Sequence, residues 1–99
     1  MLHIIWEFRT REGKSHLFEA QYGASGSWAR LFRNSPAYHG TVLARDRDDP
    51  RRYILVDMWE DMESFRRFKE GFGAEYAALD SQCEELTEQE LCLGFFDAA

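Results

Sequence analysis

The chain has 99 residues, a net charge of −6, and a composition that is 44% hydrophobic and 15% aromatic. That length makes one domain, residues 1–99, whose core removes only about 60–65% of the unfolded surface from water. The acidic balance leaves no lysine or arginine face of the kind that replaces counterions on phosphates, which argues against nucleic acid as a partner, and no apolar run approaches membrane-spanning length.

Leu2–Arg9 (LHIIWEFR) reads as a strand with Leu2, Ile4, Trp6 and Phe8 on one face. TREGK turns the chain at Gly13. Ser15 is then the expected N-cap of a helix carrying Leu17, Phe18 and Tyr22, with Gly23 stopping it in the left-handed conformation. The next stretch, QYGASGSWARLF, gathers two glycines and two serines ahead of a helix, as phosphate cradles and nucleophile elbows do. An elbow needs G-x-S-x-G, and Ser27 stands where the last glycine belongs. A P-loop needs a lysine that is absent here. The expected role is punctuation: Gly23 and Gly26 end one helix, and Ser25 or Ser27 caps the next. Trp28, Leu31 and Phe32 share a face of that second helix, which Asn34-Ser35-Pro36 ends.

Tyr38–Asp46 is the second strand, on which alternation sets His39 opposite Tyr38 and Val42. Arg45, Arg47, Arg51 and Arg52 interleave with Asp46, Asp48 and Asp49 around Pro50, a solvated turn rather than a basic patch. RYILVDMWE, Arg52–Glu60, returns as the other arm of a hairpin. Tyr53, Leu55, Asp57 and Trp59 share one of its faces; Ile54, Val56 and Met58 share the other. A strand apolar on both faces belongs in the middle of a sheet covered on both sides. A helical region begins at Asp61 or Ser64. Its stripe runs Phe65, Phe68, Phe72, Tyr76, Leu79, Cys83 and Leu86, interrupted at Gly71 and Gly73. A last strand, Gln89–Phe96, closes the chain. The order is that of an α+β, ferredoxin-like βαββαβ fold with a four-stranded antiparallel sheet. Helices cover one face of such a sheet. The expected cover for the other is a second copy of the chain, giving a homodimer.

His3, His16 and His39 are scattered, and Cys83 and Cys92 form no C-x-x-C pair, so no metal site is expected. The spacing leaves a disulfide open beside two ordinary thiols. Asp57 is the notable carboxylate: desolvation on an apolar face raises its pKa toward that of a proton acceptor at neutral pH, unless an arginine pairs with it or the strand end is wet. His39 is the other candidate acceptor. Trp6, Trp28, Trp59, Phe65 and Phe68 either line a cavity for a flat ligand or fill the core. No charged-then-apolar leader opens the sequence, so the expected location is cytoplasmic.

The segment YILVDMWEDMESFRRF resembles the hallmark of the antibiotic biosynthesis monooxygenase domain: an apolar strand, an acidic residue (Asp57), a strand-end tryptophan (Trp59), and a helix opening near Asp61 with Phe65 following. IIWEFR resembles the first strand of that family. The resemblance implies a dimeric α+β barrel. It also implies monooxygenation of a small quinol or polyketide-like aromatic with no cofactor. The substrate is deprotonated, and its anion passes an electron to dioxygen. On this reading Asp57 or His39 accepts the proton, and Trp59, Trp28, Phe65, Phe68 and Trp6 form the pocket. Haem-degrading members use a first-strand asparagine and a helix histidine; here no asparagine is present in the strand, and Lys69 stands where the histidine would be sought. Haem binding would require His3, His16 or His39 instead. The alternative from another class is a non-catalytic ligand-binding or dimerisation module on the same scaffold.

Overall fold

A computed structural model describes all of residues 1–99. Strand β1 (Leu2–Thr10) is followed by helices α1 (Ser15–Tyr22) and α2 (Ser27–Phe32). The hairpin of β2 (Tyr38–Arg45) and β3 (Arg52–Trp59) comes next. Helices α3 (Met62–Gly71) and α4 (Gly73–Cys83), one 3₁₀ turn (Glu84–Leu86) and β4 (Thr87–Asp97) complete the chain. The strands lie in the order β2-β3-β1-β4, every neighbour antiparallel, which is the ferredoxin-like arrangement. β3 is central, as its two apolar faces require, and it shares the middle of the sheet with β1.

All the helices cover one face, here called the inner face. On β3, Tyr53, Leu55, Asp57 and Trp59 are buried there, while Ile54, Val56 and Met58 on the outer face are only half-buried. The outer face continues through Val42, Leu91 and Phe96, each about half exposed at 52%, 57% and 48%. Period-two alternation sorts the strands in this way. The helical stripe does the same for α3, whose Phe65 and Phe68 are buried. Asp61 is its N-cap, accepting from the Ser64 backbone N–H at 2.8 Å. The stripe breaks at Phe72, between the two glycines.

Several local expectations are corrected. Ser15 is not a cap: Lys14 holds that position, and the Ser15 hydroxyl instead meets the Thr10 hydroxyl at 2.8 Å, tying α1 to the end of β1. Gly23 ends α1 in an extended conformation, not a left-handed one. Neither Ser25 nor Ser27 caps α2. Gly26 is the N-cap, while Arg30 donates to the Ser25 carbonyl and the Ser27 hydroxyl. Gly26 is required by space: a Cβ there would lie 2.5 Å from the Gln21 carbonyl oxygen and 2.7 Å from that of Ala20. The glycine-serine stretch therefore turns the chain.

β2 departs from strict alternation. A bulge between Tyr38 and Gly40 leaves His39 unpaired, with Gly40 at φ +121°, a value that L side chains rarely adopt. After the bulge Thr41, not Val42, lies opposite Asp57 and shares the inner face with Tyr38. At the far end of the hairpin the arginines are spent on ion pairs. Arg52 bonds Glu7 (2.6 Å) and Asp46 (2.9 Å), and Arg9 bonds Asp49 (2.5 Å) and Glu88 (3.0 Å). Cys83 and Cys92 are both free thiols. No helix is long and apolar enough to cross a membrane.

Gly26→Ala is expected to lower stability by about 1–3 kcal/mol, because the added methyl meets backbone rather than a movable side chain. Ser25→Ala and Ser27→Ala should stay within about 0.5 kcal/mol of the parent. Urea midpoints for the three variants check this; an unchanged midpoint for Gly26→Ala contradicts the tight turn.

Candidate active site

The inner face of the sheet and the helices enclose one aromatic cavity of about 60 Å³. Such a volume holds about four or five waters. β1 contributes Trp6 and Phe8, β3 contributes Leu55 and Asp57, and α1 and α2 contribute Tyr22, Trp28 and Phe32. Tyr76 and Asp80 enter from α4, and Glu90 from β4. The walls are braced ring on ring. Trp6 stacks on Phe8, with centroids 5.9 Å apart, and Trp28 meets the edge of Tyr76 at 4.9 Å.

Asp57 is the polar centre. It is 8% exposed and has no cationic partner, so burial is the main influence on its carboxyl and pushes its pKa up to about 6. Thr41 pulls the other way by donating from Oγ1 to Asp57 Oδ1 at 2.6 Å. Thr41 has one hydroxyl proton and spends it on that carboxylate. The Tyr38 hydroxyl, in hydrogen-bond contact with Thr41 Oγ1, must therefore be the donor to Thr41. The result is a directed chain, Tyr38 to Thr41 to Asp57, running in from a half-buried hydroxyl. Asp57 Oδ2 accepts no hydrogen bond from the protein. The bulge at His39 makes this chain possible by setting Tyr38 and Thr41 on one face. Such a carboxylate, ionised at neutral pH and open on one oxygen, can take a proton from a bound donor.

The sequence-derived site residues divide into three groups. Asp57, Trp6 and Trp28 come together at the cavity. Trp59, Phe65 and Phe68 lie beside it as a solid cluster. Trp59 is fully buried, its ring 5.3 Å from those of Phe65 and Phe68 and 5.4 Å from those of Phe32 and Tyr38. They back the wall through Phe32 and do not line the cavity. His39 is exposed in the bulge and lies apart from it, as do His3 and His16. No three His, Cys, Asp or Glu side chains are gathered as a metal ligand set. Sequence reasoning missed Phe8, Tyr22, Phe32, Leu55, Tyr76, Asp80 and Glu90 as lining residues. The two tyrosines were visible on helical stripes, whereas Asp80 and Glu90 meet only through the fold.

Asp57 also sets a pH dependence. Its folded value of about 6 lies above the ordinary aspartate value of about 4, so the native state binds the proton more tightly than the unfolded chain. This contribution to stability is full below about pH 4, falls as pH rises to about 6, and is flat above that. Asp57→Asn is expected to stabilise the protein at pH 7.5 by on the order of 1–3 kcal/mol and to leave it unchanged near pH 4. Thermal melts of both proteins across this range check it; equal melting shifts at the two pH values contradict it.

The sequence model of the antibiotic biosynthesis monooxygenase family matches residues 1–78. No curated protein matches the sequence. Among solved structures, the chain is similar to a mutant form of SnoaB, a cofactor-independent oxygenase from Streptomyces nogalater. The two share 25% identity and a TM-score of 0.74, over 98% of this chain and 91% of the other. A Bordetella bronchiseptica protein placed among the antibiotic biosynthesis monooxygenases is also 25% identical, with a TM-score of 0.72 over 99% and 96% of the two chains. PA3566 from Pseudomonas aeruginosa, at 15% identity and a TM-score of 0.65 over 96% and 88%, shares the fold. The match over most of its length, together with the fold, shows that this chain belongs to the antibiotic biosynthesis monooxygenase family.

Proposed function

We propose that the protein is a cofactor-independent monooxygenase of a small, single-ring quinol, with Asp57 as the proton acceptor. The observation that carries this reading is one nearly buried carboxylate, open at Oδ2, at the wall of a small aromatic cavity. The family and the SnoaB likeness supply the oxygenase chemistry.

Asp57 Oδ2 takes a hydroxyl proton, leaving an electron-rich quinolate. The anion passes one electron to dioxygen, and the radical pair recombines at a ring carbon to form a hydroperoxide. The proton held on Asp57 completes that hydroperoxide at its distal oxygen; the O–O bond and the C–H bond of the same carbon then break, the hydrogen leaving with the distal OH as water and the carbon keeping the other oxygen as a carbonyl. For hydroquinone the products are hydroxybenzoquinone and one water, so both oxygen atoms are accounted for. The rings of Trp6, Phe8, Trp28 and Phe32 flank the substrate and hold its plane, which favours electron transfer over loss of the intermediate.

The second reading, a ligand-binding module without turnover, draws on Trp59: it is sealed in the core and does not reach the cavity. We also propose that the outer sheet face joins two copies as a homodimer. The support is the row Ile54, Val56 and Met58, flanked by Val42, Leu91 and Phe96, which no element of this chain covers.

Oxygen uptake with a panel of substituted hydroquinones under ¹⁸O₂ tests the reaction. One labelled atom should enter the quinone and the other appear in water. Asp57→Asn should lower kcat by about 100-fold or more. The acid limb of kcat/KM should fall near pH 6, and Thr41→Val should move that limb to higher pH by removing the bond that stabilises the carboxylate. Binding without uptake above the uncatalysed rate establishes the second reading instead. Light scattering should give twice the chain mass, and Val56→Glu should reduce it to one chain; single chains in the parent protein overturn the dimer.

A further inference from the structure

We propose that the cavity selects quinols bearing an ammonium or other hydrogen-bond-donating substituent and rejects those bearing a carboxylate. This deepens the quinol-oxygenase reading and rests on it for the ring, though not for the charge. Three carboxylates line the cavity and no basic side chain does. Asp57 stands at the buried end, 8% exposed and with Oδ2 unpartnered. Asp80 and Glu90 are exposed and stand at the mouth, on α4 and β4. Thr87 donates to Glu90 Oε1 at 3.1 Å, fixing that side chain and leaving Oε2 free.

The fields of the three converge on the wall. The Tyr76 hydroxyl is pushed up to about 12, by burial first and then by Asp80, Asp57 and Glu90. Burial and then Cys83 and Glu90 push the Tyr22 hydroxyl up as well. No basic group is among the causes of either shift. The carboxylates do not gather as a metal ligand set, so the negative charge is spread around the space rather than focused at a point. A spread charge with aromatic walls suits an organic ammonium, which gains from both ring faces and carboxylates. The Tyr76 ring already serves such a contact: Lys69 Nζ lies 4.8 Å from its centroid, and Lys69 does not itself line the cavity. A ligand carboxylate would enter a water-poor site with three like charges and no arginine to receive it.

The test compares three probes sharing one ring: 2-(2-aminoethyl)hydroquinone, ethylhydroquinone and 2,5-dihydroxyphenylacetate. Binding is read anaerobically from quenching of tryptophan fluorescence, at pH 7.5 and low salt, so no turnover is needed. Each exposed carboxylate should change the affinity for a unit charge by about two- to threefold. The ammonium probe should therefore bind at least about 30-fold tighter than the carboxylate probe, with ethylhydroquinone between them. In Asp80→Asn/Glu90→Gln, whose changes are on the surface, that ratio should fall by at least about 15-fold, and 0.5 M salt should narrow it in the parent. Circular dichroism melts confirm that the variant is folded. Equal binding of the three probes, tighter binding of the acid, or no saturable quenching by any of them overturns the inference. If the ammonium preference holds but no oxygen is consumed in air, the charge selection stands and the oxygenase reading falls.

Discussion

Asp57 stands in a row with Tyr53, Leu55 and Trp59 on the inner face of a central strand, and no arginine or lysine answers it. Burying a carboxylate without a counter-ion works against folding, so the surrounding structure has to hold it there. Two features do so. Interlocked rings make the face rigid, from Phe18 and Tyr22 (4.4 Å) at one end to Trp59 and Phe68 (5.3 Å) at the other. The hydroxyl chain from Tyr38 through Thr41 meets one carboxylate oxygen and leaves the other free. A structural aspartate would be expected to have both oxygens engaged. That one-sided hydrogen bonding is what the proposed role of Asp57 as proton acceptor rests on.

The division of the sheet into two faces follows from how few elements a chain this size can provide. Two helix pairs suffice to cover the inner face, and nothing remains for the outer one. The ion pairs at the turn of the hairpin, with Arg9, Arg51 and Arg52 binding across β1, β3 and β4, secure the sheet at the end remote from Asp57. The catalytic candidate and the charged clamp thus lie at different ends of the same strands, and substitution at one end leaves the packing of the other in place.

Much of this was legible in the residues. Alternation along Tyr53–Trp59 identified the central strand and put Asp57 on its inner face, and the spacing of Phe65, Phe68 and Phe72 identified the helix over it. What alternation could not show was the unpaired His39, because one extra residue shifts the phase of every position after it. Thr41 therefore went unnoticed as the partner of Asp57. Spacing also gives the face of a residue but not whether a void lies against it, so Trp59, Phe65 and Phe68 read as pocket walls when they form the solid backing. Ser15, Ser25 and Ser27 looked like caps because a hydroxyl at a helix start usually is one. Here the Ser15 hydroxyl meets Thr10 at the end of β1, and Arg30 engages the Ser25 carbonyl and the Ser27 hydroxyl.

The carboxylates around the cavity have a bearing on redox chemistry. Negative surroundings raise the energy of electrons on any molecule held among them, so a bound anion gives up an electron more readily than it does in water. In the proposed reaction the same surroundings disfavour superoxide, so its recombination with the radical relieves the repulsion. A site that makes an anion harder to form thereby makes it a stronger reductant once formed.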